Sequence, residues 1–324
     1  MKTLLCPINQ KLKDAPGHLL FAVNCLEDVA RSQFGQDLQV RPLYFDQKNY
    51  STRQTIRLNI WLTWKILTTR HDAVYYGTDP QNLMLLGYMK SIGLYRRPMY
   101  AWKYLALSRS ANPVVRWMKR RFYNAFDRIF MLTKRHVAES VEAGMTTFEK
   151  CRYIEWGEDT DYIDRLPSLP REDKMTFVST GKAFRDFDTL CKAFQGINAR
   201  LKIFTVKHWG KDCDYQKTLS QYQNPNIEVH FVDELDLGPY HSVLDYLYAE
   251  LKAADCSLII CKRVNFGVGY TAVLDAMACA TAIIATHHPD NPIDIDEKGI
   301  GMTTPPEDIQ ALHNRIKHLV DHPE

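Results

Sequence analysis

The alternation of apolar and polar positions is clearest in the second half of the chain. Thr176–Thr180 is a short β-type run that ends at Gly181, and apolar residues at Phe187, Leu190, Cys191 and Phe194 then recur at helical spacing. Leu201–Val206 and Ile227–Val232 read as strands, Val243–Ala254 as a helix and Cys256–Cys261 as a strand. A helix from Thr271 to Cys279 leads into the strand Thr281–Ala285. A last helix runs from Glu307 to Val320, started by the Pro305-Pro306 pair. Continuous apolar strands alternating with helices predict a parallel sheet covered on both faces.

The first half follows the same pattern with less contrast. Strands are expected at Lys2–Cys6, Leu38–Leu43, Ala73–Tyr76, Pro98–Ala101 and Arg128–Thr133, with helices near 17–34, 52–69, 80–92, 111–125 and 135–144. Asp164–Lys174 is polar, carries two prolines and has no periodicity, which marks a linker. The expectation is an α/β chain of two doubly wound domains, 1–163 and 164–324, with ligands at the carboxyl ends of the strands.

Composition excludes several classes. Of 324 residues, 45% are hydrophobic and 24% charged, so the bulk of the chain is not disordered. The longest apolar runs, Ser257–Cys261 and Ala276–Ala285, are too short to span a membrane. The N-terminal apolar run breaks at Pro7 and Asn9, so it reads as a first strand rather than a signal peptide. Eight cysteines without C-x-x-C spacing argue for reduced thiols in a cytoplasmic protein, against a disulfide framework or zinc site. Adjacent His287 and His288 point in different directions, so no metal is expected there.

The net charge of +3 conceals an asymmetry. Residues 1–163 hold 24 basic and 15 acidic side chains, against 17 and 23 in 164–324. An anionic ligand on the acidic half must therefore be held by local features rather than by the overall field. The most basic stretch, 95–135, has eleven Lys and Arg and a single acid, Asp127. Within it Val115, Met118, Phe122, Phe126 and Ile129 form one helical stripe beside Arg116, Lys119, Arg120 and Arg128. That pattern suits peripheral contact with an anionic membrane, or an ordinary domain helix with a solvated basic face. No nucleic-acid module is present, and no nucleic-acid partner is expected.

Two segments carry candidate chemistry. In Asn265–Ala285, Gly267 and Gly269 follow a buried strand and precede a helix, either a turn that presents backbone N–H groups to a phosphate or a plain strand-to-helix turn. Asp275 lies on the apolar helix that follows, where a carboxylate needs a partner; a ribose diol, a salt bridge or solvent would serve. In Gly181–Leu190 (GKAFRDFDTL), Lys182 and Arg185 stand beside Gly181 at a strand end. They would neutralise a diphosphate, or be solvated charges at a helix start.

Together these segments resemble the retaining nucleotide-sugar glycosyltransferases of family 4. The resemblance runs through Trp156–Tyr162 (WGEDTDY), GKAFRDFDTL, GYTAVLDAMACATAIIAT and Gly299-Ile300-Gly301-Met302 with Pro305 and Asp308, over roughly residues 130–320. It implies the GT-B fold: two facing Rossmann-like doubly wound domains with a cleft between them. It further implies a nucleotide-diphosphate sugar as donor and a glycan or lipid-linked hydroxyl as acceptor, in cell-surface polysaccharide assembly. Transfer would proceed with retention and without metal or other cofactor. By this resemblance Asp275 binds the donor ribose, and Arg185 and Lys182 hold the leaving diphosphate with Gly181, Gly269 and the amides of Tyr270 and Thr271. Val232, after Phe231, would lie against the base. Gly267 stands where the family carries a glutamate that touches the donor sugar. The alternatives are a catalytically degenerate GT-B protein that binds a nucleotide sugar or a protein partner, to which Gly267 points, and a GT-B-fold sugar-nucleotide epimerase. No general base is expected; the loop from Asn9 to His18 is a candidate for acceptor contact, and His136 reads as structural.

Overall fold

The computed structural model describes residues 1–10, 15–46, 52–77, 80–210, 213–264 and 266–322. The chain divides into two compact units, Met1–Gly157 and Glu158–Glu324.

The first unit is built on six parallel strands: β1 (Lys2–Asn9), β2 (Leu38–Phe45), β3 (Ala73–Tyr76), β4 (Met99–Lys103), β5 (Arg128–Met131) and β6 (Cys151–Tyr153), in the order β2-β1-β3-β4-β5-β6. Its helices are α1 (Leu26–Phe34), α2 (Thr52–Thr68), α3 (Met84–Ser91), α4 (Pro113–Asn124) and α5 (Lys134–Glu142). Leu62 and Ile66 of α2, Leu86 of α3 and Phe122 of α4 pack on Leu5, Val74, Ala101 and Ile129 of the sheet. Strand order reverses direction between β1 and β3, which makes the loops after these strands the natural ligand face of this unit.

Two expectations need correction here. No helix covers 17–34: helix begins only at Leu26, and Phe21 and Ala22 adopt left-handed backbone with φ 54° and 60°. The run Leu19–Val23 is apolar at every position, so it lacks a helical period. Instead Leu20, Phe21 and Val23 pack against Tyr75 and Trp102. The loop from Asn9 to His18 falls partly outside the described residues, at 11–14. The expected basic helical stripe also divides: Phe122, Phe126 and Ile129 are buried core, and Ile129 belongs to β5. Val115 and Met118 are exposed.

His71 gives this unit a pH dependence. The ring is 3% exposed, with Nδ1 2.8 Å from the Thr69 carbonyl and Nε2 2.7 Å from the Tyr95 hydroxyl. A neutral ring donating through Nδ1 and accepting at Nε2 satisfies both. Burial first, and the neighbouring Arg97 cation as well, hold its pKa below the usual imidazole value despite the opposing Thr69 bond. The unfolded chain therefore binds a proton more readily. Stability should hold above about pH 6.5 and fall as the pH drops below it. Chemical denaturation followed across this range should show the slope, and His71→Phe should flatten it.

The second unit opens with α6 (Thr160–Asp164), whose Ile163 is fully buried against Phe204, Tyr248 and Leu251. The parallel strands are β7 (Thr176–Thr180), β8 (Arg200–Thr205), β11 (Ile227–Phe231), β12 (Cys256–Ile259), β13 (Ala282–Thr286) and β14 (Gly301–Thr304). A small antiparallel pair, β9 (His208–Trp209) and β10 (Cys213–Asp214), follows β8. The helices are α7 (Phe187–Ala193), α8 (Tyr215–Leu219), α9 (Val243–Ala253), α10 (Tyr270–Ala278) and α11 (Ile309–Asp321). Neighbours on a strand face opposite layers: Phe177 and Leu258 pack with α7 and α11, while Val178 packs with α9 and Ile259 with α10. The final helix starts later than the proline pair suggested. Asp308 caps it by accepting from the Ala311 N–H at 2.9 Å, and Glu307 before it is left-handed at φ 64°.

The order β11-β8-β7-β12-β13-β14 places β7 at the centre. The chain winds outward on one side through β8 and β11, then on the other through β12, β13 and β14. The winding direction therefore reverses between β7 and β12, and the carboxyl ends of strands at such a reversal are where ligands bind in open α/β sheets. Both glycine segments found in the sequence lie there.

Candidate functional site

β7 ends at Gly181, whose φ of 114° strongly favours glycine. Its N–H donates to the Phe204 carbonyl at 3.2 Å, and its own carbonyl accepts from the Thr205 hydroxyl at 2.9 Å. A Cβ at this position would run into the Arg185 guanidinium. The loop is zipped to the extension of β12: Lys262 N–H donates to the Phe184 carbonyl at 2.8 Å, and Asp186 N–H to the Ile260 carbonyl at 2.9 Å. The Tyr215 hydroxyl accepts from the Arg185 N–H at 3.0 Å and donates to the Lys182 carbonyl at 2.9 Å.

Arg185 is 5% exposed. Its Nε donates to the Thr180 carbonyl at 2.9 Å, and Nη1 lies 3.2 Å from the Cys261 sulfur. These partners are neutral. The carboxylate next to it, Asp186, is committed to capping α7, accepting from the Thr189 N–H at 3.1 Å and its hydroxyl at 2.7 Å. Among the described residues no carboxylate forms an ion pair with Arg185. A buried guanidinium without a counter-ion is costly, and an anionic ligand would remove that cost.

The second loop reaches the same point. Gly269 adopts φ 80° and caps α10 without a side chain. A Cβ there would lie 2.9 Å from Ile259 Cγ2, 3.2 Å from the Cys261 sulfur and 3.8 Å from Arg185 Nη1. The guanidinium and the positive end of α10 thus converge over Cys261. Two sources of positive potential meet there, one from a side chain and one from backbone, an arrangement chemically able to hold an anion. Tyr270 and Thr271 form the first turn of this helix, half-buried and exposed respectively.

Asp275 stands further along α10, half-buried, with Oδ1 3.1 Å from the Tyr248 hydroxyl. Glu158 Oε2 lies 3.3 Å from the same hydroxyl. Burial first, then the charges of Asp275 and Glu158, push the Tyr248 phenol far up, so it stays protonated and serves as a donor. The sequence left Asp275 between a ribose, a salt bridge and solvent; the structure gives it a buried tyrosine. Glu158 was missed as part of this cluster. Its sequence signal was its place within the WGEDTDY segment, one of the motifs behind the resemblance.

The other expected residues are distributed around this centre. Lys182 is exposed, with its ammonium 5.3 Å from the centre of the Trp209 ring on β9, a cation–π contact that the sequence did not suggest. Gly267 has Asp290 beside it, and a Cβ there would meet the Asp290 carbonyl at an ordinary 3.5 Å, so a side chain would fit. Phe184 and Phe266 meet edge to face at 5.2 Å, joining the two loops. Val232 follows β11, its N–H donating to the Thr205 carbonyl at 2.9 Å; β8 and β7 separate it from β12. Asn265 lies outside the described residues.

His287 and His288 diverge. His287 is exposed, whereas the His288 ring bridges the Val264 carbonyl at 3.2 Å and the Asp290 N–H at 3.1 Å. His136 is buried in the first turn of α5, with its N–H capped by the Thr133 hydroxyl at 3.0 Å. Seven of the eight cysteines are buried, and burial raises the Cys6 thiol to about 12 and Cys151 to about 11. The thiols of Cys6 and Cys151 are therefore protonated and unreactive at neutral pH.

Comparison with known proteins bears on the fold. Solved structures match along nearly the whole chain. A glycosyltransferase from Rickettsia africae is 11% identical with a TM-score of 0.64, over 99% of this chain and 88% of that one. Anabaena HepE, solved in complex with UDP, is 14% identical with a TM-score of 0.61, over 100% and 91%. The UDP-GlcNAc 2-epimerase from Methanocaldococcus jannaschii is 10% identical with a TM-score of 0.58, over 98% and 93%. At these identities the likeness establishes the fold, the two-unit α/β architecture of GT-B proteins. No curated protein matches the sequence. Residues 172–322, nearly all of the second unit, match the family described as glycosyl transferases group 1.

Proposed function

We propose that this protein is a glycosyltransferase that moves a sugar from a nucleotide-diphosphate donor to a hydroxyl of a glycan or lipid-linked acceptor. The observation that carries this reading is the buried Arg185, without an acidic partner among the described residues, beside the start of α10, where no side chain caps the helix. The diphosphate would lie against Arg185, Gly181 and the first-turn amides of Tyr270 and Thr271, with Lys182 at the rim. Asp275, its hydroxyl partner Tyr248 and the neighbouring Glu158 would receive the ribose. Val232 would be nearest the base.

The reaction breaks the bond between the anomeric carbon and the diphosphate and forms one from that carbon to the acceptor oxygen. The acceptor proton passes to the leaving diphosphate. Negative charge grows on the diphosphate in the transition state, where Arg185 and the α10 dipole stabilise it without reorganisation. In this reading the acceptor approaches from the leaving-group face, so configuration is retained, and no metal is required because fixed positive groups take its electrostatic role. The setting would be cell-surface polysaccharide assembly on the cytoplasmic side of the membrane. That two-unit fold is shared with an epimerase, which makes sugar epimerisation the second reading.

A panel of nucleotide sugars tests both. The proposed function predicts transfer only with acceptor present; an epimer formed without acceptor would favour the second reading, and neither product with any donor would refute both. Asp275→Asn should raise the donor KM by about tenfold or more with a smaller effect on kcat, because ribose contacts act equally in ground and transition states. Initial-rate kinetics with varied donor measure this.

A further inference from the structure

The first unit carries a surface that the donor chemistry does not use. On α2, Leu62 and Ile66 face the core, yet the opposite side is not polar: Ile60 is 55% exposed and Trp64 56%. α2 packs on α3 and α3 on α4, and all three join one core layer, so they lie side by side on one face of the sheet. α4 continues the pattern, with Trp117 58% and Met118 41% exposed, and Leu94 after α3 is 68% exposed. A water-facing layer would carry polar groups at these positions.

The charge is equally one-sided. Residues 52–71 and 80–126 contain no Asp or Glu but thirteen Lys and Arg. Cations are held against the exposed rings: Lys65 Nζ lies 4.9 Å from the Trp64 ring centre, and the Arg121 guanidinium 5.2 Å from that of Trp117. Indole rings and long cationic side chains together match the boundary between lipid headgroups and hydrocarbon.

We infer that the α2–α3–α4 face docks on an anionic phospholipid bilayer, with Trp64, Trp117 and their aliphatic neighbours in the headgroup boundary and the basic side chains on lipid phosphates. The occupant must be anionic at its surface and apolar beneath it. A second copy of this face would bring like charges together, and nucleic acid offers no apolar layer for Ile60 and Leu94. The surface widens the membrane contact expected at 95–135 by adding α2. It deepens the membrane part of the proposed function and is independent of sugar transfer.

The test is flotation of the full-length protein with phosphatidylcholine vesicles, with and without phosphatidylglycerol, at low and high salt. Binding is expected only to the anionic vesicles and should weaken with salt. Arg116→Gln, Lys119→Gln and Arg120→Gln together should reduce partitioning by about a hundredfold, taking about 1 kcal/mol for each cation near the surface. Trp64→Ala with Trp117→Ala should reduce it by at least about tenfold. Both rings are largely exposed, so these variants should keep the wild-type Tm and nucleotide binding. No binding to anionic vesicles, or binding unchanged in both variants, would overturn the inference. So would a wild-type dimer in light scattering that the tryptophan variant abolishes. Loss of transfer with vesicle binding intact would instead count against the proposed reaction alone.

Discussion

Arg185→Ala is expected to lower kcat for sugar transfer by about 10²–10³-fold, the usual cost of removing one fixed charge-stabilising group. The guanidinium is held before any ligand arrives, by the Thr180 carbonyl, the Cys261 sulfur and the Tyr215 bond to its backbone. It therefore loses little freedom when the diphosphate leaves. Arg185→Lys keeps a positive charge but not the fork that grips two oxygens at once, and should recover only part of the loss. The rise in Tm produced by a bound nucleoside diphosphate should disappear in Arg185→Ala. Steady-state kinetics and thermal denaturation with and without nucleotide read the two effects separately. A variant that kept wild-type kcat would remove Arg185 from the mechanism.

Gly181→Ala is the second large effect. Two costs combine: the φ of 114° strains any L side chain, and the new Cβ displaces the Arg185 guanidinium. The backbone term alone is about 1–3 kcal/mol. The displacement should also remove most donor affinity, although the substitution adds one methyl group and changes no charge. Chemical denaturation should show the stability loss, and nucleotide titration the affinity loss. Gly267→Ala makes the contrast, because a Cβ at Gly267 meets Asp290 only at ordinary contact distance. It should leave stability nearly unchanged.

How much of this was legible in the sequence differs between the halves for a physical reason. Strands β7 and β12 are buried at every position, so they appear as short runs without a charged residue, TFVST and CSLI. The edge strand β14 and the three-residue β6 are only partly buried and carry no such run. The segment Leu19–Val23 is apolar because it packs on Tyr75 and Trp102, not because it is helical. The basic stripe through Phe122 and Phe126 mixed core positions with surface ones. Only the fold reveals that the exposed apolar face of α4 continues onto α2.

The site was legible where glycine backbone geometry announces it. Gly181 and Gly269 both adopt left-handed φ and converge on Arg185. What sequence could not supply was partnership across the fold. Tyr248 meets Asp275 from 27 residues away in the chain, and Tyr215 pins the Arg185 loop from a short helix that carries no motif. Nor could spacing show that Asp186, beside Arg185, is occupied by its own helix cap. Among the described residues the Arg185 guanidinium accordingly has neutral partners, the Thr180 carbonyl and the Cys261 sulfur.

Whether Arg185 and the start of α10 hold a diphosphate is decided by calorimetric titration of UDP into the wild-type protein and Arg185→Ala. Saturable binding at one site is expected in the wild type and at least about tenfold weaker binding in the variant. Equal affinity in the two proteins, or no nucleoside diphosphate binding to the wild type, would contradict a diphosphate site there.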